Sequence, residues 1–193
     1  MAKAVVLQLG DALRTEAEAL IKTAYWEQYG ATIKVFPAQL LVFIENNIVQ
    51  CAAGLRTEAE GFFSECYLDE PINSVLSNET KQFVSRDKIF EVTTLASRAP
   101  LITGNFVAAL VAYGETRGFS WSFFTLTHRL AFLVRRLGLA PVYLAPATSN
   151  RVEDADLWGE YYASDPKVYA VPSVRIPNNR LANGRIARHA HAV

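Results

Sequence analysis

The chain has 193 residues, 51% hydrophobic and 20% charged, with lysine plus arginine and aspartate plus glutamate at 19 each. That length buries a full core for one domain, and the balance excludes disordered and fibrous classes. Zero formal net charge argues against wholesale nucleic-acid binding.

No apolar run reaches the roughly 18 residues that a membrane span needs. The start MAKAVVLQLGD lacks the long apolar core and cleavage site of a signal peptide. A cytoplasmic protein without stable membrane insertion is expected. Residues 11–29 read as an amphipathic helix, because Leu13, Ala17, Leu20, Ile21, Ala24 and Tyr25 recur at helical spacing before Gly30. Leu40–Glu45 and Ile48–Arg56 form a hairpin through Asn46-Asn47, residues that tolerate positive φ. Residues 58–70 are acidic and aromatic without periodicity, and Pro71 opens a helix reaching Gln82 or Phe83. There follow a strand over Lys88–Ala96, a helix over Asn105–Arg117 and a strand over Phe119–Thr127. A basic amphipathic helix over His128–Leu137 and a short strand over Pro141–Ala147 complete the order. Next comes a polar-aromatic segment, then a tail from Pro177.

The expected fold is a mixed α/β sheet with an antiparallel N-terminal half, a β-α-β-α-β C-terminal half and helices on both faces. One domain over residues 1–176 and a flexible basic tail over 177–193 are expected. The crossover from Lys88–Ala96 to Phe119–Thr127 places strand ends beside a ligand crevice. A carboxylate on an otherwise apolar strand is costly to bury without a partner or a task, which singles out Glu91. The alternative is a salt bridge to Arg86 or Arg98. Cys51 and Cys66 read as buried small hydrophobes rather than a disulfide. Neither has a histidine at a spacing that suggests a thiolate nucleophile, and His189 and His191 lack the convergent partners of a metal site.

Four blocks in order, ECYLDEPI, EVTTLAS, FTLTHRLAFLVRRLGLAPVYLAPA and DLWGEYYASDPKVYA, resemble the thermostable haemolysin family from about Ala12 to Val171. That family is similar in turn to the acyl-homoserine-lactone synthases and the GNAT N-acyltransferases. Two departures stand out. Thr93-Thr94 replaces a Gly-Asn of the family pattern. The pyrophosphate loop of GNAT acetyltransferases, Arg/Gln-x-x-Gly-x-Gly/Ala, corresponds to Arg98–Gly104, which lacks the glycines at their spacing. Gly104-Asn105 is left as the expected helix opening for a cofactor. The resemblance therefore implies a GNAT-like fold and direct acyl transfer to a small amine such as an amino acid or derivative. The implied donor is an acyl-carrier-protein or acyl-CoA thioester, with no permanently bound cofactor.

In that reaction Glu91 is the base or ammonium anchor, while Thr94 and Ser97 are oxyanion donors or plain turn residues. Arg98 clamps a phosphate or carboxylate, or is a solvated loop residue. Tyr25, Trp26 and Tyr29, with Trp158, Tyr161 and Tyr162, line the substrate pocket or pack the core. His128, Arg129, Arg135 and Arg136 offer a basic helix face to an acyl carrier protein, with Arg135 and Arg136 binding the phosphopantetheine of the donor, or are simply solvated. A membrane-lytic protein, as the family name says, and a non-catalytic acyl- or carrier-binding module are the competing classes.

Overall fold

The computed structural model describes residues 3–173, so the expected tail, with His189 and His191, lies outside the described residues. In chain order the elements are β1 (Lys3–Leu7), α1 (Arg14–Tyr29), β2 (Gln39–Glu45), β3 (Ile48–Thr57), α2 (Ile72–Thr80), β4 (Ile89–Ser97), α3 (Pro100–Arg117), β5 (Trp121–Leu126), α4 (His128–Arg136), β6 (Val142–Pro146) and β7 (Lys167–Pro172). Short 3-10 segments include Ser64–Tyr67 and Ala155–Ser164. One seven-stranded sheet runs in the order β1-β2-β3-β4-β5-β7-β6. It is antiparallel from β1 to β4, parallel between β4 and β5, and antiparallel again through β7 to β6.

The expected mixed sheet and its helices are present, with two strands the sequence did not announce. β1 is a short edge strand that registers only against β2, from Lys3↔Ile44 to Leu7↔Leu40. β7 is buried at four successive positions, Val168–Val171, so it shows no alternation to read. It slots between β5 and β6.

Strand alternation distributes the core over two faces. Leu40, Val42 and Ile44 of β2 pack with Ala17, Leu20 and Ile21 of α1. Leu41 joins Phe90, Val92, Phe106 and Leu110 against α3 on the other face. Ile89, Trp121 and Phe123 pack with Ile72 and Leu76 of α2. By the same alternation Glu91 projects to the α1/α2 side.

α3 starts at Pro100, five residues earlier than expected. Proline at the first helical position has its φ preset and loses no needed donor. Cys66 is exposed, unlike buried Cys51; both are free thiols.

Candidate active site

β4 and β5 pair only through Ile89↔Trp121, Phe90↔Ser122 and Glu91↔Phe123, although β4 runs on to Ser97 and β5 to Leu126. Past Glu91 the strands part, and their facing backbone groups no longer pair with each other. On its other edge β4 bulges. Ala52 pairs with Ala96 and Gly54 with Thr93, leaving Thr94 and Leu95 opposite Ala53. Thr94 has φ 46°, in the left-handed region that costs an L residue about 1–2 kcal/mol. Its Oγ1 is buried without a hydrogen-bond partner among the described residues. The extra residue also turns Ala96 back toward α1.

Three cavities meet where the strands part. A cleft of about 470 Å³ on the α1 side is lined by Arg56, Phe63, Ser64, Thr94 and Trp158, among others. A second, about 360 Å³, is lined by Tyr29, Ser97, Thr103, Arg129 and Arg136. The third is small and apolar, about 60 Å³, between β4, β5, α3 and α4, with Val92, Leu110, Phe124 and Leu130 in its wall. Tyr25 and Thr125 line all three.

Glu91 lies just beneath this junction and is wholly buried. The Phe63 N–H donates to Oε2 at 2.6 Å and the Ser64 N–H to Oε1 at 2.7 Å. The Ser64 hydroxyl lies on the same side of the carboxylate and favours its charged form. The Thr125 hydroxyl donates to Ser64 Oγ at 2.9 Å. Thr125, Ser64 and Glu91 thus form a continuous polar path from the junction to a buried carboxyl. Burial pushes the Glu91 carboxyl above the usual range, opposed by the Ser64 hydroxyl, the two amides and the Arg56 charge. The alternative salt bridge is absent: the Arg86 guanidinium grips both oxygens of Glu65, and Arg98 pairs with Glu16.

The other sequence-predicted residues divide. Tyr25, Tyr29, Trp158 and Tyr161 converge into one aromatic wall, with ring centroids 5.1 Å apart for Tyr29–Tyr161 and 5.2 Å for Trp158–Tyr161. Phe63 joins it at 5.6 Å from Trp158, and Tyr162 adds a hydroxyl contact of 2.8 Å to Tyr67. Gly159 makes this closure feasible. Its φ of 50° kinks the Ala155–Ser164 segment, and a Cβ there would fall 2.2 Å from the Tyr29 carbonyl oxygen. Ser97 lines the second cavity while its hydroxyl donates to the Ala99 carbonyl at 2.8 Å.

Five expectations are corrected. Trp26, one residue round the helix from Tyr25, points outward and is 63% exposed. Arg98 is drawn away to the Val49 carbonyl, 2.7 Å, and to Glu16, and lines none of the three cavities. Gly104 and Asn105 sit in the second turn of α3, because Pro100 has already opened the helix, so they do not form its N-terminus. Arg135 lies over the Tyr169 ring at 5.5 Å, away from the second cavity that its neighbour Arg136 lines.

Ser64, Thr125 and Arg56 carry no sequence signal of their own. Ser64 lies in the aperiodic acidic-aromatic stretch, and Thr125 reads only as a β-prone residue. Only the long-range β3–β4 register, Arg56↔Glu91, sets Arg56 beside the carboxyl. Cys66 lines the cleft, where desolvation and the neighbouring Glu91 charge push its thiol up to about 11. A thiol that weak an acid stays protonated at neutral pH and is a poor nucleophile.

Comparison with known proteins gives consistent results. A family model described as thermostable hemolysin matches residues 7–175. No curated protein sequence matches significantly. Among solved structures, the acyl-homoserine-lactone synthase LasI aligns with TM-score 0.61 at 11% identity, over 97% of this chain and 98% of its own. FeeM, an N-acyl amino acid synthase from uncultured soil microbes, gives 0.61 at 13%, over 90% and 92%. The CoA-dependent acyl-homoserine-lactone synthase BjaI, solved with SAM and isopentyl-CoA, gives 0.57 at 12%, over 91% and 85%. At such identities the likeness is one of fold: a GNAT-like mixed sheet.

Proposed function

The chain belongs to the thermostable hemolysin family, and from that premise we propose that it is a cytoplasmic N-acyltransferase. It moves an acyl group from an acyl-carrier-protein or acyl-CoA thioester directly to a small amine such as an amino acid or derivative. The observation that carries this reading is the junction of three cavities at Thr125, the outer end of a hydrogen-bonded path to buried Glu91.

In the reaction the amine nitrogen attacks the thioester carbonyl carbon, the C–N bond forms, and collapse of the tetrahedral adduct breaks C–S. The nitrogen's proton passes through the Thr125 and Ser64 hydroxyls to Glu91, and the departing thiolate takes up a proton from solvent, to which Glu91 then releases its own. A carboxyl raised by burial is better matched to neutral pH as a base than an ordinary one. Because Glu91 is wholly buried and lines none of the cavities, it acts through the two hydroxyls rather than by touching the ammonium. Thr94 Oγ1, unpartnered at the same opening, is the better oxyanion donor of the two sequence candidates, since the Ser97 hydroxyl is already engaged.

The parted edges of β4 and β5 leave backbone donors and acceptors for an extended thioester arm, and the apolar cavity beside Val92 and Leu110 takes the acyl chain. Arg129 and Arg136 in the second cavity suit the donor's phosphate. Leu101 and Phe132, 93% and 57% exposed, lie on α3 and α4, two of the helices that line that cavity. They favour a carrier protein as donor.

The test is free-thiol release when purified protein meets acyl-CoA or acyl-carrier-protein thioesters and mixed amino acids. Tight carrier binding without turnover for any amine would instead mark a binding module. Dye leakage from protein-free lipid vesicles in the absence of any substrate would favour the lytic reading; no described helix is long and apolar enough to cross a membrane.

A further inference from the structure

Arg56 stands out among the cations of the large cleft. It is half-buried in the cleft wall. Among the described residues it has no ion pair and no side-chain hydrogen bond, whereas Arg151 in the same wall is held by Asp69. Lys34 also lines the cleft but is exposed, as are the acidic Glu153 and Asp154. In the β3–β4 ladder Arg56 faces Glu91 directly, so the two side chains project from the same face about 5 Å apart at Cβ. They nevertheless form no salt bridge, because the Glu91 oxygens are turned to the Phe63 and Ser64 amides. A partly desolvated guanidinium left without a partner is costly, and its planar fork matches a carboxylate.

Resting on the acyl-transfer reading, we infer that Arg56 is the acceptor's specificity residue: it clamps a free carboxylate, so the amine acceptor is an amino acid rather than a neutral amine or an ester. The layout across the strands supplies the orientation. Arg56 lies on β3 to one side of Glu91, and Thr125 lies on β5 to the other. An α-amino acid, whose carboxylate and amine share one carbon, lies over β4, its acid met by the long Arg56 arm and its nitrogen toward Thr125 and the parted strand edges. Decarboxylation or esterification removes the partner and leaves the guanidinium unpaired.

The test separates binding from turnover. Thermal-shift and calorimetric titrations of the full chain use the twenty free amino acids, their methyl esters and the matching decarboxylated amines. At least one free amino acid is expected to bind about 10–100-fold more tightly than its ester. Arg56→Met removes that preference, and Arg56→Lys, which keeps charge but not the fork, restores part of it; the melting temperatures of both apo variants report folding. Equal binding of acid and ester, a preference that survives Arg56→Met, or no binding of any free amino acid overturns the assignment. Amino-acid binding that depends on Arg56, without thiol release from any thioester, sinks the transferase reading and leaves the carboxylate site standing.

Discussion

Replacing Glu91 by glutamine tests the buried carboxyl from two directions. In the wild type two backbone N–H groups, from Phe63 and Ser64, point at its two oxygens. Glutamine keeps one acceptor and turns an NH₂ toward the other amide, so one buried donor loses its partner. That loss costs about 1–3 kcal/mol, which for a chain of this size lowers Tm by about 2–12 °C. The pH dependence carries the sharper information. The Glu91 carboxyl lies above its ordinary value of 4.5 in the folded state, so the folded protein binds the proton more tightly than the unfolded chain. Its contribution is therefore full below about 4.5 and is lost as pH rises through the folded value. The glutamine variant has no such loss. Thermal denaturation of both proteins from pH 4 to 8 should show the variant's deficit largest at the acid end and narrowing upward. Thiol release should meanwhile vanish in the variant. A deficit that widens with pH would mean that the amides hold Glu91 low and charged, and would refute a base tuned by burial. Unaltered turnover would refute its role in transfer.

Other outcomes follow from neighbouring geometry. Thr125→Val cuts the hydroxyl path and should slow turnover about 10²–10⁴-fold. Thr125→Ser restores it, and equal rates in the valine and wild-type proteins would remove the path from the mechanism. Gly159→Ala forces a Cβ against the Tyr29 carbonyl at φ 50°. It should cost at least about 2–3 kcal/mol in urea unfolding; a neutral result would mean that the kinked segment is not packed on α1 as described. Thr94→Gly relieves the left-handed strain at φ 46° and should gain up to about 1 kcal/mol. Its turnover should fall if Oγ1 serves the oxyanion. At Glu65 burial works to raise the carboxyl, but the Arg86 fork and the Ile72 amide outweigh it and hold it low. That stabilisation is complete above the ordinary carboxylate value of 4.5 and lost as pH falls through the lower folded one. Glu65→Gln should accordingly flatten the acid limb of the stability curve.

Local signals in the chain reach a long way here. Helical spacing in residues 11–29, the Asn46-Asn47 turn, the glycine stop at 30 and the apolar strand around Glu91 depend on neighbours within a turn or a pleat. They are legible because propensity and periodicity act over that range. The four separated blocks were enough to place the family. β7 escaped because a strand covered on both faces loses its alternation, and the α3 start was misjudged because Pro100 outweighed Gly104. The site itself is a tertiary product. Ser64 and Thr125 are 61 residues apart and meet only because β4 and β5 part just past Glu91. The aromatic residues of α1 and of the 155–164 segment fuse into one wall because Gly159 has no side chain. Sequence by itself determined that a lone carboxyl would stand on this apolar strand. Long-range packing decided what that carboxyl touches, because hydrogen-bond partners are set by where chain segments cross rather than by their order.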